Sequence, residues 1–68
     1  MKDYKEIGKA EVWARLELGA KVFAVVLKSS RFNSGVYNLQ KWDVEQILHI
    51  LSDKEPNVSF YVHDEVVP

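Results

Sequence analysis

The stretch "EVWARLELGAKVFAVVLK", residues 11–28, decides how the rest of the chain is read. With Ala10 before it, Val12, Ala14, Leu16 and Leu18 fall on one parity, and Glu11, Trp13, Arg15 and Glu17 on the other. That is the period-two alternation of a half-buried strand. Gly19-Ala20 then separates Leu18 from Lys21. Glycine at the first loop position suits a two-residue type II′ turn, which needs a positive φ there. The spacing therefore predicts a β-hairpin in which Leu16 faces Phe23, Ala14 faces Val25 and Val12 faces Leu27. The other face of that hairpin pairs Trp13 with Val26 and Arg15 with Ala24.

Downstream, "SSRFNSGVYN", residues 29–38, reads as a loop by its Ser, Asn and Gly content. Its aromatic residues, Phe32 and Tyr37, are expected to close one end of the core. Val44, Ile47, Leu48 and Leu51, with Ile50 flanking, form one apolar helical stripe. Leu39 and Val44 have the spacing of a hydrophobic staple around a start near Gln40, with Asn38 as the chemically better cap. Pro56 ends the helix. Val58, Phe60 and Val62 then alternate with Ser59, Tyr61 and His63, giving a last strand.

The expected architecture is a single α+β domain over residues 1–68, with 1–8 less ordered. Its order is β-β-α-β, a three-stranded sheet with one helix packed on one face. The helix carries the chain back, so the last strand is expected to run parallel to the second. The apolar run 22–27 suits a central strand and favours placing the last strand beside the second rather than the first.

Composition narrows the function classes. The chain has 68 residues and no cysteine, so thiolate metal sites and disulfides are excluded, and a domain of this size gains much from a partner surface. No metal or cofactor is expected. The longest apolar run is far short of a membrane span, and the polar opening "MKDYKEIGKAEV" has no signal-peptide core. A cytoplasmic protein with no membrane partner is the expectation. Net charge is −1, which disfavours a general electrostatic role on nucleic acid. Its distribution is uneven: residues 1–41 hold eight Lys or Arg against four Asp or Glu, and residues 42–68 hold Lys54 against six acids.

Catalytic constellations are lacking. His49 and His63 stand outside any metal-ligand spacing and read as surface histidines, and no nucleophile elbow is present. The loop "SSRFNSG" lacks the phosphate-loop pattern and reads as a hydrogen-bonded turn. The chain is thus expected to be non-enzymatic, with no catalytic residues and no small-molecule substrate.

The sharpest signal is a second apolar sheet face. In the predicted register Trp13, Val22, Ala24 and Val26 cluster away from the single helix, Tyr61 joins them, and Trp42 lies off the helix stripe. An uncovered patch of this kind marks an interaction surface. The segment 1–9, with Tyr4 and Ile7, is the alternative cover from within the chain. The expectation is a small regulatory or protein–protein interaction domain that pairs with a second copy or another protein. The alternative is a nucleic-acid-binding module using Lys28, Arg31, Phe32, Tyr37 and Lys41, which combine charge with stacking surface.

Overall fold

The computed structural model describes residues 3–63. Four strands and two helices follow in the order β1 (Tyr4–Ile7), α1 (Lys9–Glu17), β2 (Val22–Val26), β3 (Gly35–Asn38), α2 (Val44–Ile50) and β4 (Val58–His63), with a 3-10 turn at Leu39–Lys41 before α2. The α+β class stands. Three strands and one helix become four strands and two helices.

The main correction falls on the opening stretch. Residues 9–17 are helix, not the first arm of a hairpin. Alternation and helical spacing compete here, because Val12 and Leu16 also lie four apart, with Trp13 beside Val12 on the same side. Local preference breaks the tie: Lys, Ala, Glu, Arg and Leu dominate the segment, all good helix formers. Glu11 and Arg15 also form an i,i+4 ion pair at 3.6 Å, in the favourable order along the helix.

Gly19 keeps its positive φ, at 81°, but in another motif. Its amide donates to the Leu16 carbonyl at 3.0 Å, and the Ala20 amide donates to the Arg15 carbonyl at 3.0 Å. With Leu18 as the C-cap, this is a Schellman ending in which a left-handed residue stops the helix. A type II′ turn and a Schellman ending both ask for glycine, so glycine alone does not distinguish them.

The sheet order is β1-β4-β2-β3. Every neighbouring pair is antiparallel: Ile7 opposite Phe60, Ala24 opposite Phe60, and Ala24 opposite Tyr37. The last strand lies beside β2, as its apolar run suggests, but runs antiparallel to it. The reason is β3. That short strand turns the chain round once more before α2, so the crossover through α2 returns β4 in the direction of β3. No sequence period betrays β3, because Ser34, Gly35 and Asn38 are loop-type residues and Val36 is exposed.

Both helices lie on one face. Val22, Ala24 and Val26 from β2 and Val58, Phe60 and Val62 from β4 are buried there, with Ile7, Val12, Leu39, Ile47 and Ile50. Helix α2 begins later than the staple suggests. Asp43 caps it: Asp43 Oδ1 accepts from the Gln46 amide at 3.0 Å, and Gln46 Oε1 accepts from the Asp43 amide at 3.3 Å, a reciprocal capping box. Asn38 instead caps the 3-10 turn, accepting from the Gln40 amide at 3.0 Å. The buried stripe is correspondingly shifted. Ile47 and Ile50 face the core, whereas Val44 and Leu48 are 60% and 55% exposed.

Candidate functional site

Alternation along each strand leaves one sheet face without a helix. Tyr4 and Glu6 of β1, Ser59, Tyr61 and His63 of β4, Phe23 and Val25 of β2, and Val36 of β3 point that way, set side by side by the register. Tyr4, Phe23, Val25, Val36 and Tyr61 line a shallow, largely apolar cavity of about 170 Å³. The Tyr4 ring stands edge-on to Phe23 at 5.6 Å and to His63 at 5.1 Å. Leu27, whose amide still bonds to the Asn57 carbonyl at 3.0 Å, is 72% exposed, and Val36 is 67% exposed. Glu6 sits opposite Tyr61. Lys21, whose carbonyl accepts from the His63 amide, falls on the same side by alternation.

The sequence-predicted interface is split three ways. Val22, Ala24 and Val26 are core residues buried beneath the helices, because the helix that replaces the first hairpin arm lies over their face. Trp13 and Trp42 come together, but in a different place: with Leu16, Leu39, Val44 and Ile47 they line a groove of about 470 Å³ on the helix side. Tyr61 alone of the six lies on the open face. The residues missed were Tyr4, Phe23, Val25, Leu27 and Val36. Their signal was present in Phe23, Val25 and Leu27 sharing one parity, which the hairpin reading assigned to the core.

Of the residues of the nucleic-acid alternative, Arg31, Phe32 and Tyr37 come together: the Arg31 guanidinium lies 5.8 Å over the Phe32 ring, and the Phe32 and Tyr37 rings are 6.4 Å apart. Lys28, Arg31 and Lys41 are exposed. Phe32 is stacked on Trp42 at 4.8 Å, and Tyr37 lies 5.3 Å from the same ring. The Tyr37 hydroxyl donates to the Asn33 carbonyl at 2.7 Å. These rings roof one end of the core, as expected of Phe32 and Tyr37, and Trp42 shares the task.

Comparison with protein-family models, with curated proteins and with solved structures returned no match. The reading of function therefore rests on the chemistry of the surface.

One polar cluster is buried. Glu55 is 2% exposed and accepts from the Ser29 hydroxyl, and from the Ser30 amide and hydroxyl, each at 3.5 Å. His49 Nε2 lies 3.6 Å from the same carboxylate, so His49 is half-buried against Glu55 and Phe32 rather than a free surface group. The Ser29 hydroxyl, opposed by burial and helped by Ser30 and His49, holds the Glu55 carboxyl below its ordinary pKa. Ser29 Oγ also accepts from the amides of Arg31 and Phe32 at 3.1 and 3.0 Å. Its hydrogen is directed to a carboxylate and its oxygen holds two amides, so Ser29 clamps the 28–34 loop. Among the described residues, no group of three His, Asp or Glu side chains is placed to hold a metal ion, and no helix is long and apolar enough to cross a membrane.

Proposed function

We propose that the protein is a non-enzymatic interaction domain that pairs with a second copy of itself through the open face of its sheet. The observation that carries this reading is the contiguous set Tyr4, Phe23, Val25, Leu27, Val36 and Tyr61 on a face that neither helix covers. Two sheets packed face to face sit about 10 Å apart and interlock such side chains. A twofold contact needs a self-complementary surface, and charges of both signs at its border can pair across it. Glu6 on β1, opposite Tyr61, and Lys21 ahead of β2, beside His63, supply one charge of each sign at the border of the apolar centre. A standard interface takes about 800 Å² from each partner, roughly a sixth of the 4955 Å² accessible here. The nucleic-acid alternative has less support, because Phe32 and Tyr37 already lean on Trp42.

Light scattering across a dilution series tests the proposal. The expected result is a dimer that dissociates on dilution, with Phe23→Glu monomeric throughout and unchanged in its far-UV circular dichroism. Trp13→Glu, on the helix side, is expected to leave the dimer intact. A wild-type monomer at the highest concentration overturns the proposal, as does a dimer lost in Trp13→Glu and retained in Phe23→Glu.

A further inference from the structure

A cavity of about 360 Å³ opens where the ends of β1 and β4 meet the link between α1 and β2. Its walls carry Lys5 of β1, Arg15 in the last turn of α1, Lys21 ahead of β2 and His63 at the end of β4, and among the described residues they include no carboxylate. Four separate elements bring these groups together, so their convergence is a product of the fold rather than of a local run of charge. Like charges gathered this way repel one another. Among the described residues only Arg15 of the three permanent cations has an ion-pair partner, Glu11 at 3.6 Å, a long contact that leaves most of its guanidinium donors unused.

The backbone at this wall is already occupied. The amides of Gly19 and Ala20 close the Schellman ending, and their carbonyl oxygens both accept from Gln40 Nε2, at 3.0 and 2.8 Å. Gln40 thus ties down the carbonyls that would otherwise present negative ends to the cavity. What remains for recognition is cationic side chains.

We propose that this cavity binds a small phosphate-bearing anion. Three permanent positive charges match a ligand carrying two or three negative charges better than a single carboxylate. The volume falls in the range of small-molecule sites and exceeds the needs of one phosphate, so the phosphate belongs to a diphosphate or a phosphorylated small molecule. Recognition by side chains alone makes the affinity strongly dependent on ionic strength. Lys5 and Arg15 lie on the helix side of the sheet, whereas Lys21 and His63 border the open face; Phe23→Glu, expected to be monomeric, should still bind pyrophosphate, which separates this site from the open-face dimer.

Calorimetric titration with inorganic pyrophosphate at low salt is the test, with amide shifts followed by NMR. One site per chain is expected, with shifts centred on Lys5, Gly19–Lys21 and His63. Lys5→Gln with Arg15→Gln should weaken binding about tenfold or more, the loss expected for one charge-assisted hydrogen bond. Lys28→Gln with Lys54→Gln, exposed lysines that line a different cavity, should leave it unchanged. Equal loss in both double variants, or no saturable binding in the wild type, overturns the proposal. Malonate binding as tightly as pyrophosphate overturns the assignment to phosphate.

Discussion

The rings of Tyr4 and Phe23 meet edge-on at 5.6 Å, although their strands are not neighbours: β4 lies between β1 and β2. The contact therefore spans a strand and ties the edge of the sheet to its middle on the uncovered side. On the other side of the same strand, Ala24 is fully buried beneath the helices. Successive residues of β2 thus serve two surfaces, one internal and one outward.

That division predicts unequal costs for two phenylalanines. Phe60, 2% exposed, fills the core, and Phe60→Ala should destabilise the fold by about 3–5 kcal/mol. Phe23→Ala removes an edge-on aromatic contact and partly exposed area, so about 1 kcal/mol is expected from the monomer. Urea denaturation of both variants, at a concentration where Phe23→Ala is monomeric, checks the ratio.

Gly19 has a φ of 81°, and a Cβ there would meet nothing within 4 Å. The cost of substitution is then conformational rather than steric against neighbours. Gly19→Ala should lose about 1 kcal/mol, and Gly19→Asn less, since asparagine tolerates the left-handed region. A Gly19→Ala variant as stable as the wild type by thermal melting would contradict the Schellman assignment.

Asp43 and Gln46 hold the start of α2 reciprocally. Asp43→Ala should cost about 1 kcal/mol, and Asp43→Ser should recover most of it. Chemical denaturation at neutral pH distinguishes the two. Hydrogen exchange at Gln46 should accelerate in the alanine variant.

The buried carboxylate makes stability depend on acid. Glu55 has a folded-state pKa below its ordinary value, chiefly through the Ser29 hydroxyl. The unfolded chain therefore takes up the proton first as pH falls. The contribution is complete above the ordinary carboxylate range, about pH 4.3, and is lost as acid carries the pH down through the depressed value. Glu55→Gln should flatten this part of the stability profile, read as urea midpoints between neutral and strongly acid pH. An unchanged acid limb in that variant would remove Glu55 as its source.

Much of the fold is legible in residues whose signals do not compete. Val58–Val62 alternate, the apolar residues of 44–51 form a helix although Ile47 and Ile50 rather than Val44 and Leu48 are its buried side, and the loop aromatics Phe32 and Tyr37 meet at one end of the core. Residues 9–18 are different: Ala10, Val12, Ala14, Leu16 and Leu18 satisfy a strand period, whereas Val12 and Leu16 satisfy a helix. Only the weight of helix-forming side chains decides between them. Choosing the strand inverted β2, sending Phe23 and Val25 inward and Val22, Ala24 and Val26 outward. An apolar side of the sheet that no helix covers among the described residues was legible because β2 is apolar on both parities. Its membership was not, because that depended on which side α1 lies. β1 and β3 gave little signal, since each is a short edge strand with one exposed flank.

The position of β4 within the sheet sets an order of events during synthesis. The strand that separates β1 from β2 leaves the ribosome after the five other helices and strands described here. Until it arrives, Ile7 lacks the Phe60 it pairs with, and one edge of β2 stays open. The β2–β3 ribbon and α2 can form early from neighbouring sequence, whereas the first strand must wait for residues 58–63 and for closure of a long loop. A nascent chain stalled before residue 58 would thus hold an unpaired β1 and an open β2 edge, the form in which strands recruit foreign partners. Insertion of β4 between them closes the inner edge of β1 and that edge of β2, and leaves only the outer edges of β1 and β3.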